Sequence, residues 1–160
     1  MKRLLLPLLL LLALTGCQQQ DDLIYELNPV DVVQPNANKA KEKTIEQYVS
    51  ILYANLFQKA LAADEMVEIR RLIESIGDKE VAYEILISNF MNRSEVIIPN
   101  DDEMRGDLNA FLVETYKRFF VRTPSEAEKA YMRNFIESNP NVTAEMVYFA
   151  FALSEEYRFY

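Results

Sequence analysis

The sequence predicts an all-α fold: a compact helical bundle of two three-helix repeat units, preceded by a signal peptide and an extended linker. Three observations carry that expectation. From Thr44 onward the apolar residues recur at helical spacing nearly throughout. Ser, Thr, Asn and Asp stand just before the apolar-periodic segments, where a helix start needs a side-chain acceptor. The order of events in the first half of that region then recurs 63 residues later. Half of the 160 residues are apolar, enough for one domain with a real core. The expected organisation is 1–16 signal peptide, 17–43 anchor and tether, and 44–160 helical domain, with units 44–95 and 101–160.

The elements follow in order. Thr44 and Gln47 make a capping box. Ile45, Tyr48, Val49, Leu52, Leu56 and Phe57 then form one stripe of a helix running to about Ala62. Asp64 is the expected cap of a second helix, with Met66, Ile69, Leu72, Ile73 and Ile76 inward and Gly77 as its C-terminal stop. Asp78 starts a third, carrying Val81, Ala82, Ile85, Leu86 and Phe90. After a break over 92–100, Asp101 or Asp102 caps a fourth helix whose dipole Glu103 complements. Thr123-Pro124-Ser125-Glu126 places a hydroxyl at the N-cap, proline at the first helical position and glutamate at the third. Asn139-Pro140 ends that helix. Thr143 begins the last one, where Met146, Val147, Phe149, Ala150, Leu153 and Tyr157 leave most of the circumference apolar.

The repeat can be counted. A shift of 63 lays 48–75 over 111–138, and seven of these 28 positions are identical: Tyr53/Tyr116, Phe57/Phe120, Glu65/Glu128, Arg70/Arg133 and the run Ile73-Glu74-Ser75 over Ile136-Glu137-Ser138. Residue frequencies alone give about two. The third helices correspond after a small insertion.

At the N-terminus, Lys2 and Arg3 precede an apolar run from Leu4 to Leu14 that ends in Leu14-Thr15-Gly16-Cys17. A charged start, a short apolar segment and a small-residue cleavage site make a secretory signal, too short to span a bilayer of ~30 Å. Leu14-Thr15-Gly16-Cys17 resembles the lipobox of bacterial lipoproteins. The resemblance implies a diacylglycerol thioether on Cys17, cleavage before it and acylation of the new N-terminus. Acyl chains contribute ~0.8 kcal/mol per buried methylene, so two or three of them exceed the two-signal threshold for lasting attachment. Cys17 is also the one cysteine, so no internal disulfide is available to the mature chain.

Gln18-Gln19-Gln20-Asp21-Asp22 resembles the surface-export signal of Gram-negative lipoproteins, in which polar residues precede adjacent acids on the way to the outer leaflet of the outer membrane. The plainer reading is a solvated spacer. From Asp21 to about Lys43 the chain lacks helical periodicity and contains Pro29 and Pro35, so it reads as an extended linker.

Loss of the signal removes two of 17 basic residues and none of the 25 acids, taking the formal charge from −8 to −10. Nucleic acid is excluded as a partner, because its binding needs concentrated Lys or Arg. With no histidine and no thiol free of lipid, Ser-His-Asp, Cys-His and ordinary zinc chemistry are also excluded, and no enzyme activity is expected. Asn100-Asp101-Asp102-Glu103 with Asp107 gathers oxygen donors of the calcium type. Helix-start roles account for them and the EF-hand spacing is absent, so neither a metal nor a cofactor is expected. Phe159 and Tyr160 are the expected exposed anchors for a partner.

Tyr116, Phe119, Phe120, Arg122, Pro124 and Glu128, with the closing run Ser154-Glu155-Glu156-Tyr157-Arg158, resemble the helical segment of cyanobacterial phycobilisome linker polypeptides and related extracellular bacterial domains. The resemblance covers about 45 residues and implies a non-catalytic assembly module, with no bilin chemistry. The combined expectation is a lipid-anchored outer-membrane protein facing the cell surface. It would act as an accessory or scaffold subunit for another envelope protein. The alternative is a carbohydrate- or other ligand-binding surface lipoprotein.

Overall fold

The computed structural model describes residues 41–159. They form eight helices: α1 Ile45–Phe57, α2 Ala63–Ser75, α3 Lys79–Met91, α4 Asp101–Gly106, α5 Leu108–Phe120, α6 Glu126–Ser138, α7 Ala144–Leu153 and α8 Glu155–Arg158. No strand occurs among the described residues; one isolated antiparallel bridge joins Glu42 to Phe159. The expected all-α bundle is what the chain forms.

Local chemistry sets the starts. The Thr44 hydroxyl accepts from Gln47 N–H while the Gln47 side chain accepts from Thr44 N–H, closing the predicted capping box. Asp78 and Thr143 cap α3 and α7 as expected. Five boundaries differ. Helix α1 ends at Phe57, with Gln58 as its C-cap, rather than near Ala62. The N-cap of α2 is Ala62, and Asp64 sits in the first turn, where its charge faces the helix dipole. Its C-cap is Ile76 in an extended conformation, so Gly77 is not a left-handed stop. The N-cap of α6 is Ser125, boxed with Glu128, and Pro124 is buried just outside the helix. Asn100 rather than an aspartate caps α4, boxed with Glu103.

The 63-residue shift that aligns the sequence also carries α1 onto α5 and α2 onto α6, end to end. Buried Tyr48, Val49, Leu52, Tyr53 and Leu56 fall on Phe111, Leu112, Thr115, Tyr116 and Phe119, all buried. The one polar member, Thr115, donates its hydroxyl hydrogen to Phe111 O at 2.7 Å. The shift becomes 65 for α3 and α7, because the turn over 139–143 is two residues longer than its counterpart over 76–78. These two helices pack on each other. Core side chains such as Ile87, Phe90, Tyr148 and Tyr157 are fully buried, each contributing ~1.5–3 kcal/mol where aliphatic or phenyl. In α3 the inward face is Ala82, Tyr83, Leu86, Ile87 and Phe90, which leaves Val81 and Ile85 exposed, contrary to their expected placement.

The final helix is broken at Ser154, whose ψ of 149° is extended. Its hydroxyl accepts from Tyr157 N–H, starting α8 and turning Tyr157 into the core. Burial pushes the Tyr157 phenol well above its ordinary range, although its oxygen accepts from Asn55 Nδ2 at 3.0 Å.

Gln58 and Val121 occupy equivalent left-handed positions after α1 and α5, at φ 52° and 57°. A β-branched residue is strained there, and Val121 is 88 % exposed, so packing does not offset the strain. Val121→Gly is expected to raise stability by about 0.5–1 kcal/mol in urea unfolding, the relief exceeding the entropy glycine adds to the unfolded chain.

Candidate functional site

Cys17, Gln18, Gln19, Gln20, Asp21, Asp22 and Tyr160 lie outside the described residues. Phe159 is described and is half-buried rather than a free end. It pairs with Glu42, and beside it Lys43 N–H donates to Arg158 O at 2.9 Å. The Lys43 ammonium donates to the carbonyls of Tyr157 and Phe159 and lies 5.0 Å from the centre of the Tyr157 ring. The segment entering the domain is therefore clasped to the segment that closes it.

The acids of 100–107 are used within the fold. Asn100 and Asp107 cap α4 and α5, and Glu103 completes the Asn100 box. Asp101 accepts from Ala144 N–H, the first amide of α7, at 2.8 Å. One turn along α4, Arg105 donates to the carbonyls of Pro140 and Val142 at 2.9 and 2.7 Å. The short helix thus clips the end of α6 to the start of α7, complementing both dipoles. Among the described residues no group of three Asp, Glu, His or Cys side chains is placed to hold a metal. Other acids form exposed pairs one turn apart, Arg70 with Glu74 and, at the equivalent place, Arg133 with Glu137.

Arg122 is the densest polar junction. Its Nε and Nη2 donate to Glu156 at 2.7 and 2.8 Å, and its Nη1 and Nη2 donate to Glu128 at 3.0 and 2.6 Å. The guanidinium lies 5.0 Å from the centre of the Tyr116 ring. Hydrogen bonds from Arg122, followed by those from Ser125, outweigh partial burial and hold the Glu128 carboxyl at about 2. In the first unit the equivalent Glu65 meets Arg93 at 2.6 Å, and Arg93 lies over Phe57 and Phe90. Arg122 also lies 5.7 Å from the centre of the Phe120 ring, the counterpart of Phe57, so both units tie down the same glutamate with a guanidinium on the same aromatic position, but the arginine comes from a different place in each. These are structural ties between helices.

On α7, Tyr148 and Phe151 are core, and Phe149 is half-buried. Exposed apolar groups lie elsewhere, among them Val67 and Leu72 on α2, Val81 and Ile85 on α3, Met146 on α7, and Tyr131 and Phe135 on α6. Met146 is equivalent to Val81, and Phe135 to exposed Leu72. That correspondence is the signal that separates these positions from core, since amphipathic spacing alone does not. An acidic cleft of about 210 Å³ is lined by Glu80, Tyr83, Glu84, Leu153, Glu155 and Arg158, with Arg158 paired to Glu80 at 3.1 Å. It lacks a nucleophile paired with a base.

Among known families, the model of the prokaryotic membrane lipoprotein lipid attachment site matches residues 1–18. No curated protein and no solved structure matches the chain. That match supports a bacterial lipoprotein attached to a membrane by covalent lipid on a cysteine, and Cys17 is the one cysteine of the chain. No match falls on the helical domain, and the expected likeness to phycobilisome linkers finds no support in these comparisons. No helix among the described residues is long and apolar enough to cross a membrane.

Proposed function

We propose that this lipoprotein is a non-catalytic accessory or scaffold subunit of an envelope complex, seated in the outer membrane and facing the cell surface. The observation that carries the subunit role is the pair of outward apolar positions in the two central helices, Val81 and Ile85 on α3 with Met146 and Ala150 at the equivalent places on α7. Met146 is 57 % exposed. Large apolar side chains left outward on both equivalent helices, Val81 and Ile85 on one and Met146 on the other, favour a protein partner over internal packing. The shared helix ends, left-handed caps and buried positions support an origin of the domain in a repeated three-helix unit. Surface exposure is supported by the polar run ending in Asp21 and Asp22.

One experiment addresses both parts. Intact cells are treated with protease or left untreated, and the chain is then recovered in mild detergent with whatever accompanies it. The proposal expects degradation in treated cells and a stoichiometric companion in untreated ones. Ile85→Glu with Met146→Glu should remove the companion while leaving the melting temperature nearly unchanged. Recovery of the companion with the double variant would reject this face as the binding surface, and full protection in intact cells would reject surface exposure.

A further inference from the structure

We propose that Tyr131 and Phe135 form a contact ridge for the lipid bilayer to which the chain is anchored. They stand four residues apart on α6 and are 70 % and 46 % exposed. The shared fold does not require an aromatic ring at position 131, because its counterpart in the first unit is Glu68, on α2. Neither ring contacts another aromatic ring among the described residues. Tyrosine at this exposure, with a phenyl ring one turn away, has the chemistry of the boundary between headgroups and acyl chains, where an apolar body and a polar tip are both satisfied.

The covalent anchor indicated at the N-terminus selects lipid as the occupant, because it keeps a bilayer within reach of the domain. Cys17 and Lys41 are 24 positions apart in the sequence, a span of at most ~80 Å even fully extended. A surface tethered that closely has an effective concentration on the order of millimolar, so a ridge of two rings is occupied without high intrinsic affinity. The formal charge of −10 on the mature chain, from 15 basic and 25 acidic residues, directs the contact to zwitterionic rather than anionic headgroups.

The chain contains no tryptophan, so one introduced indole reports alone. The full acylated chain carrying Tyr131→Trp is reconstituted into vesicles of phosphatidylethanolamine and phosphatidylcholine, with or without brominated acyl chains. The proposal expects the brominated vesicles to quench most of the emission. Phe135→Ser in the same chain should restore it, and Glu68→Trp, at the equivalent place in the first unit, should not be quenched. Phe135→Trp gives a second reporter should Tyr131→Trp disturb the fold. Equal emission from both vesicle types overturns the proposal. So does equal quenching at positions 68 and 131, which would mean that the domain merely tumbles against lipid. A blue shift without quenching by bromine assigns the ridge to protein, including a second copy of this chain, and likewise overturns it.

Discussion

Cys17→Ala is expected to abolish lipid labelling, leave the chain uncut before residue 17 and let the helical domain wash off the membrane. The effect is all-or-none because the chain has one thiol, and no other side chain can form the thioether. Anchoring by two or three acyl chains, at ~0.8 kcal/mol per buried methylene, is far stronger than any contact from the domain surface. A ridge made by Tyr131 and Phe135 is sufficient only when the anchor supplies the local concentration, so its contribution should vanish together with the lipid. Metabolic labelling with a fatty-acid probe and a salt wash of the membranes read both results. Retained labelling of the alanine variant would place the acyl group elsewhere and remove the basis for the anchor.

The anchor and the helix starts were legible because each is written in contiguous residues. Thr44, Asp78 and Thr143 act as the caps that their own neighbourhoods require. The start of α6 was misplaced by two residues because two capping boxes overlap there, Thr123 with Glu126 and Ser125 with Glu128. The second forms, and its glutamate is the one that Arg122 also holds. No local pattern reveals that preference, since Glu156, the other partner of Arg122, is 34 residues away. The face of α3 was hidden for another reason. Its apolar residues lie on both sides of the helix, so periodicity could not choose Tyr83 and Ile87 over Val81 and Ile85, and packing against α7 made the choice. Tyr131 was missed because an aromatic on an amphipathic helix reads as core. Only the exposed Glu68 at the equivalent position marks the site as outward.

Arg122→Met should cost about 2 kcal/mol at neutral pH, the largest loss expected from any single polar side chain in the domain. One guanidinium joins α5, where it lies over Tyr116, to Glu128 on α6 and Glu156 on α8. Methionine fills comparable space but leaves two carboxylates facing each other without a cation. Breaking a fully buried pair costs ~3–5 kcal/mol. About a third of each side chain here remains exposed, and solvent screening reduces the figure. The pH dependence separates charge from packing. The Glu128 carboxyl, ordinarily at 4.5, is held at about 2, chiefly by hydrogen bonds from Arg122. A depressed carboxyl contributes stability that is fully present above its ordinary value and is lost as pH falls from about 4.5 towards 2. Without Arg122 that depression disappears, so wild type and variant should differ most near pH 7 and converge only towards pH about 2. Arg122→Lys should fall between them, retaining the charge but not the paired donors. Urea midpoints measured from pH 2 to 7 test this. A gap that stays constant across the range would assign the role of Arg122 to its packing on Tyr116 rather than to the two carboxylates.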